Sequence, residues 1–161
     1  MTDYYQEQQQ ARRKALRLLE HMDRTERGLT DRLRQAGFSE EAAEDAVSYV
    51  REFGYINDER YAFNYIMYRI HDKSRQKIFQ ELSGKGIDRQ TIQDAWEEAE
   101  ELETPDERAL LRQMVGKKYE PGAELDEREM RRLYGYLARR GFRSGDIFSV
   151  LEEMDITQIK T

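Results

Sequence analysis

The sequence has no cysteine and only two prolines among its 161 residues. Without cysteine the chain forms neither disulfides nor thiolate metal sites, which fits a reducing cytoplasm. Scarce proline, together with 37% charged residues of both signs, favours an all-α fold, because helix interiors tolerate proline poorly. No apolar run approaches the roughly 18 residues of a membrane span, and the N-terminus lacks the apolar region of a signal peptide. We therefore expect a soluble, cytoplasmic helical protein.

Patterns that carry chemistry are also missing. His21 and His71 stand 50 residues apart, and neither has a cysteine or second histidine close enough for a metal site. The glycines lie at predicted helix ends and not in a phosphate-binding loop. The acidic residues of 94–107 have no basic or metal partner and are more typical of a solvated face than of an acid–base pair. We expect no enzyme, no catalytic or metal-binding residues and no cofactor.

What the sequence does contain is a repeat. Three segments align without gaps, at 33–50, 82–99 and 137–154, so their starts are 49 and 55 residues apart. Each reads leucine, three residues, glycine, then phenylalanine or isoleucine, with apolar residues at matching later positions. This spacing is the length of one unit of three short helices. We predict three three-helix modules, at 1–54, 55–103 and 104–161, which form an elongated, curved helical-repeat protein.

Glycines and capping residues indicate where the helices end. Gly37, Gly86 and Gly141 are predicted to end helices in the left-handed conformation, which glycine adopts without a Cβ clash. The predicted N-caps, whose side chains accept first-turn amides, are Thr25, Ser39, Asn57, Asp88, Thr104 (with Pro105 following), Asp126 (with Glu129 as a capping box) and Ser144. The nine predicted helices are 8–22, 25–36, 39–53, 57–71, 74–84, 88–102, 105–119, 126–140 and 144–154.

The fourth predicted helix is the most aromatic. One of its stripes carries Tyr61, Tyr65 and Tyr68, and another carries Phe63, Met67 and Ile70. A helix that is apolar on several faces is buried by more than one neighbour. We expect this helix to belong to the second module, to pack on the first as well, and to bury its aromatic stripes as core.

The segments GYINDERYA (54–62) and KSRQKIFQELSGKGI (73–87) resemble the signature of the RecX family of bacterial recombination regulators. The matching positions are Tyr55, Ile56, Asn57, Asp58, Tyr61, Ala62, Ile78, Glu81, Leu82, Lys85, Gly86 and Ile87. Seven of them are expected to be mainly structural: Tyr55, Asn57, Asp58, Tyr61, Glu81, Leu82 and Gly86. Ser74 stands where the family has a glycine. The resemblance covers nearly the whole chain, since the family is built from three tandem three-helix repeats.

The resemblance implies regulation and not catalysis. RecX-like proteins bind the RecA recombinase, chiefly its filament on single-stranded DNA, and damp strand exchange, ATP hydrolysis and co-protease activity. A member of that family would regulate homologous recombination, DNA repair and the SOS response, with at most weak contact to DNA. A net charge of −6 agrees with a protein partner, because phosphate neutralisation dominates binding to bare nucleic acid. The repeat gives no reason for a dimer, so we expect a monomer.

Clusters of basic residues are the candidate contacts. The eight candidates are Lys73, Lys77, Lys85, Arg128, Arg132, Arg139, Arg140 and Arg143. At 100° per residue, Arg128, Arg132 and Arg139 fall within about 40° of one another, opposite the apolar side of the eighth helix. Such clusters also occur as ordinary solvated faces. Against an acidic filament or a DNA backbone they would contribute steering and charge pairing.

Two other classes of function remain open. One is a helical DNA-binding protein in which each module is a helix-turn-helix that places a helix in a groove. The acidic third helices, 39–53 and 88–102, argue against it, because recognition helices carry basic or amide side chains. The other is a helical scaffold for another protein.

Overall fold

A computed structural model describes residues 3–160. Over this range the elements are α1 Tyr4–His21, α2 Glu26–Gln35, α3 Glu40–Glu52, α4 Asp58–Arg69, α5 Arg75–Gly84, α6 Arg89–Leu102, α7 Glu107–Gly116, β1 Glu124–Leu125, α8 Glu127–Arg139, α9 Ser144–Glu153 and β2 Thr157–Gln158. The predicted all-α repeat fold is confirmed. The first helix begins earlier than predicted, because the side chain of Asp3 caps it by accepting from the amide of Tyr5.

Most predicted N-caps are confirmed, with side-chain oxygens 2.7–3.2 Å from first-turn amides: Thr25, Ser39, Asn57, Asp88 and Asp126. Two are wrong. Asp106 caps α7 in place of Thr104, by accepting from Ala109 N at 3.1 Å, since a carboxylate also complements the helix dipole. Arg143 precedes α9, no side chain caps that helix, and Ser144 is its first residue.

The aligned repeat positions form the core. The leucine that begins each aligned segment is fully buried: Leu33, Leu82 and Leu137. The apolar residue four positions before that leucine is 0–2% exposed: Leu29, Ile78 and Leu133. The apolar positions of the following helices are buried as well, except the last of the third repeat, Met154, which is half-buried. Gly37, Gly86 and Gly141 all have left-handed φ, at 97°, 91° and 89°. The predicted helix ends at these glycines are therefore confirmed.

The chain divides into two compact units. Unit one holds the residues up to 66 together with 81–99, and α1, α2 and α3 pack there around Ala11, Leu29 and Val50. Unit two holds 67–80 together with the residues from 100 on, and α7, α8 and α9 enclose a core that includes Leu111 and Ile147. Helices α4 and α5 run from one unit into the other. The module boundaries after 54 and 103 stay a prediction.

Unit two contains a small feature that the sequence did not predict. Strands β1 and β2 pair in parallel, with Glu124 opposite Thr157 and Leu125 opposite Gln158. The amide of Ile159 donates to the carbonyl of Leu125 at 2.8 Å, so the tail is fixed against the entry to α8. Two-residue strands carry no periodic pattern, which is why sequence analysis could not find them.

Helix α4 does not bury its tyrosines as expected. Its fully buried stripe is Ala62, Ile66 and the following Ile70, all at most 3% exposed. Tyr61 and Tyr65 are half-buried and stack on each other, whereas Tyr68 is 74% exposed. Small and aliphatic side chains four residues apart let the helix approach its neighbours closely, and the larger rings are left at the margin.

Candidate interaction surface

Helix α8 presents a row of arginines to solvent. Its N-terminus is fixed by a capping box in which Asp126 accepts from the amide of Glu129 at 2.7 Å and Glu129 accepts from the amide of Asp126 at 3.2 Å. Leu133 and Leu137 hold one side in the core. On the opposite side lies the α8 arginine surface, which consists of Arg128, Arg131, Arg132 and Arg139, all exposed.

Within residues 3–160, none of these four arginines has an ion-pair partner. Elsewhere in unit two, Arg108 and Arg112 are paired, since both contact the carboxylate of Glu153, at 2.5 and 3.1 Å. Hydrogen bonds from these two arginines lower the pKa of Glu153 below its usual range. Positive charge on the α8 arginine surface is therefore available to a partner, whereas charge around Glu153 is already compensated.

Two basic residues at this surface or beside it, Arg131 and Lys118, were not among the predicted contacts. Arg131 lies about 60° outside the predicted arc, so the four arginines span about 100°. Lys118 lies beside α8, with its ammonium 4.1 Å from the ring centroid of Tyr136. Arg140 contacts the same ring, with its guanidinium carbon 4.0 Å from the centroid. A wider arc would have included Arg131, but no sequence signal pairs Lys118 with Tyr136.

Other candidate residues lie at contacts between distant segments of the chain. The first of these contacts involves Thr25. The hydroxyl of Thr25 accepts from Gly28 N at 3.0 Å as the cap of α2, and it donates to the carbonyl of Lys85 at 2.8 Å. The next amide, of Glu26, donates to the carboxylate of Asp58 at 2.9 Å. We call these two contacts joint one, in which the N-terminus of α2 is held by residues of the predicted second module.

The same arrangement recurs in unit two. The hydroxyl of Ser74 accepts from Lys77 N at 3.1 Å as the cap of α5, and it donates to the carbonyl of Arg140 at 2.9 Å. The amide of Arg75 donates to the carboxylate of Glu107 at 2.6 Å. These contacts are joint two. Thr25 and Ser74 are the two buried polar residues among those the structure describes, at 4% and 0% exposed.

Each joint closes against a glycine. A Cβ built on Gly86 would lie 2.6 Å from the Cβ of Arg27, and one built on Gly141 would lie 3.0 Å from the backbone nitrogen of Lys77. A Cβ built on Gly37, the matching glycine of the first module, would meet nothing within 4 Å. Glycine at the two joints is thus required both by its left-handed φ and by close approach.

The residues before the two joint glycines, Lys85 and Arg140, also place their cationic groups close to tyrosine rings. Lys85 places its ammonium 5.9 and 5.8 Å from the ring centroids of Tyr61 and Tyr65, and Arg140 contacts Tyr136. The hydroxyl of Tyr65 donates to Glu81. Three candidate contact residues, Lys77, Lys85 and Arg140, therefore lie at the joints, and their positions have a structural explanation.

The remaining candidates are placed as follows. Lys73 lies in the turn before α5, outside the helix on which it was predicted, is half-buried and already makes an interaction. Arg143 is exposed at the N-cap of α9. The structure thus gathers Arg128, Arg132 and Arg139 on one helix face, brings Lys77 and Arg140 together at joint two, and places Lys85 in the other unit.

Two residues of the family signature have local features of their own. Partial burial raises the pKa of Asp58, and the negative charges of Glu26 and Asp88 add to the shift, while the hydrogen bond from the Glu26 amide opposes it. Tyr55 is 56% exposed and stacks on Phe53 with ring centroids 6.1 Å apart. The signature therefore contributes Asn57 as a cap, Asp58 and Gly86 to joint one, and Leu82 to the core.

Residues 3–160 include no group of three or more histidine, aspartate or glutamate side chains placed to hold a metal ion. In the same range no helix is both long enough and apolar enough to cross a membrane. Helix α6 exposes a run of carboxylates, Glu97, Glu98, Glu100 and Glu101, so its outer face is acidic.

Three family models match the chain in order, described as the first, second and third three-helix domains of RecX, over residues 11–49, 57–95 and 106–151. The chain belongs to the RecX family. The regulatory protein RecX of Streptomyces lividans is 36% identical over 148 residues, which cover 90% of this chain and 77% of that protein. RecX of Caldanaerobacter subterraneus is 35% identical over 148 residues, which cover 91% of this chain and 72% of that protein.

Solved RecX structures share the fold. The crystal structure of RecX from Lactobacillus salivarius superposes with a TM-score of 0.66 at 23% identity and covers 92% of this chain and 97% of that one. Another crystal structure of regulatory protein RecX gives 0.65 at 24% identity and covers 96% of this chain and 78% of that one. At these identities the likeness concerns the fold alone.

Proposed function

We propose that this RecX-family protein binds filaments of the RecA recombinase on single-stranded DNA and inhibits recombination, ATP hydrolysis and co-protease activity. The observation that carries the site assignment is the α8 arginine surface, four exposed arginines without ion-pair partners in the described chain. Keeping like charges together without compensation costs stability, so an uncompensated cluster favours a role in binding. The relatives are named regulatory proteins, which agrees with a role without catalysis.

The proposed partner is an acidic surface formed by recombinase protomers of the filament. DNA phosphates would be a minor contact. The overall charge of −6 disfavours tight binding to bare nucleic acid. Exposed carboxylates on α6 also argue against a helix-turn-helix in which the third helix of each module enters a groove. We propose a cytoplasmic monomer, since a cysteine-free chain suits that compartment and the repeat gives no reason to expect a dimer.

The test reverses charge on the surface that carries the proposal. The variant Arg128→Glu, Arg132→Glu, Arg139→Glu should lose most of its inhibition of RecA ATP hydrolysis on single-stranded DNA, with helical content and melting close to those of the parent. All three side chains point away from the core, so stability should change little. Parental inhibition should weaken as salt rises, because exposed charge pairs are screened beyond a Debye length of roughly 8 Å at physiological ionic strength.

The matched control is Arg13→Glu, Arg17→Glu, Arg32→Glu, which makes the same change in net charge on exposed arginines of α1 and α2. Equal loss in both triple variants would mean that only net charge matters and would remove the assignment to α8. Full potency of the α8 variant would place the contact elsewhere. No effect of the parent on RecA, with tight binding to random duplex DNA, would support the DNA-binding alternative.

A further inference from the structure

The two joints share one chemical device. In each, a buried hydroxyl accepts from an amide of its own helix and donates to a carbonyl of the following module, at 3.0 and 2.8 Å for Thr25 and at 3.1 and 2.9 Å for Ser74. Of the common N-cap side chains, only hydroxyls combine both roles on one oxygen atom, since a carboxylate accepts but cannot donate. Helix capping and joint closure therefore depend on the same atom.

A second contact follows the hydroxyl in the same order. The first helical amide after each cap donates to a carboxylate of the first residue in the next module's first helix, Glu26 to Asp58 and Arg75 to Glu107. This amide has no partner inside its own helix, because the first four helical N–H groups lack one. Its protection from solvent exchange thus reports on the joint alone, whereas the cap amide two residues further on reports on the helix.

We propose that Thr25 and Ser74 are coupling residues that make each joint open as a unit. When the donated hydrogen bond is lost, the glycine turn of the next module is released and the neighbouring amide–carboxylate contact opens with it. The helix itself stays capped as long as an acceptor remains at that position. This coupling is a property of the fold and does not depend on which partner the protein binds.

The experiment compares amide hydrogen exchange of Glu26 and Gly28 by NMR. Thr25→Asp keeps an N-cap acceptor but removes the donor, and it is made in an Asp58→Asn background so that the Asp58 carboxylate does not repel the new one. The side-chain amide introduced by Asp58→Asn still offers an oxygen to the Glu26 amide. Relative to Asp58→Asn alone, the Glu26 amide should exchange at least tenfold faster, while the Gly28 amide should stay within about threefold. Thr25→Ser, which keeps both roles, should restore parental exchange at both amides.

Unchanged protection of Glu26 would overturn the proposal, and so would equal loss at Gly28, which would make Thr25 an ordinary cap. Joint two provides the independent repeat, with Ser74→Asp in a Glu107→Gln background and with Arg75 and Lys77 as the reporting amides. Ser74→Thr is its conservative control. If one variant fails to fold, the other joint decides, because each lies wholly within its own compact unit.

Discussion

Helices α2 and α5 begin inside joints, whereas α8, the middle helix of the third module, caps itself. The amide of Glu26, the first helical residue of α2, is satisfied by Asp58, 32 residues away, whereas the capping box of α8 satisfies the amides of Asp126 and Glu129, three residues apart. The N-terminus of α2 is thus held partly by a distant carboxylate, whereas that of α8 is held by a local capping box.

The opposite end of the repeat shows the complementary difference. Gly37 has the same left-handed φ as Gly86 and Gly141, yet space around it is open. The residue before it is Ala36, where the joints have Lys85 and Arg140 with cations against tyrosine rings. Helix termination alone therefore explains the glycine at position 37, and Ala36 offers no cation for a tyrosine ring.

The largest expected effect comes from filling a joint glycine. Gly141→Val should lower the free energy of unfolding by about 2–5 kcal/mol, because left-handed strain adds to overpacking against Lys77 and Ser74. Gly37→Val should cost only the strain, about 1–2 kcal/mol. Urea denaturation of both variants measures the difference. Equal losses would mean that the close approach at Gly141 contributes nothing.

A smaller loss is expected for the tyrosines beside joint one. Tyr61→Ala and Tyr65→Ala should each lower stability by about 1–2 kcal/mol, since a half-buried ring loses only part of the value of a buried one. Loss of the cation contact with Lys85 is included in this figure. Thermal melting compares them with Tyr68→Ala, whose exposed ring should be near neutral. A core-sized loss of about 3–5 kcal/mol would restore the tyrosines to the core.

Removing the local cap of α8 should cost less again. Asp126→Ala should lower stability by about 1 kcal/mol, the usual value for an N-cap. Exchange of the Glu129 amide should accelerate, while the amides of Glu26 and Arg75 at the joints should keep their protection. Acceleration at Arg75 would show that α8 and joint two are energetically linked.

The smallest effect concerns pH at joint one. The raised pKa of Asp58 means that the folded state binds more protons than the unfolded state above pH 3.8, the ordinary value for aspartate. Stability from this group is present below that pH and is lost as pH rises through the folded pKa. Asp58→Asn keeps an acceptor for Glu26, so its stability relative to the parent should increase between about pH 4 and pH 7. A constant difference across that range would contradict the shift.

Much of the fold could be predicted from the sequence because it depends on local chemistry. The glycines at helix ends, five of seven caps and the buried leucines follow from φ preference, amide satisfaction and periodicity. The errors have the same origin. Thr104 was predicted as the cap of α7 in place of Asp106 because both residues are good caps and lie within one turn. On α4, periodicity placed Tyr61 and Tyr65 on one stripe but could not show that Ala62 and Ile66 form the buried side.

The candidate site was only partly predictable. A helical wheel grouped Arg128, Arg132 and Arg139 correctly on one exposed face of α8. It could not show that Lys85 and Arg140 lie at joints, because the hydroxyls that donate to their carbonyls come from distant positions in the chain, Thr25 and Ser74. Charge and spacing along the sequence describe one helix at a time, whereas a joint is formed by residues from two separate segments of the chain.

The joints also bear on how this chain could be lengthened by duplication of a module. The first module supplies a hydroxyl donor, Thr25, and the third supplies a glycine turn that receives one, at Gly141. Within residues 3–160 the predicted middle module holds both parts of a joint, the Gly86 turn for joint one and the Ser74 hydroxyl for joint two. A tandem duplication of that module alone would therefore place a Ser74 hydroxyl and a Gly86 turn on the two sides of the new junction.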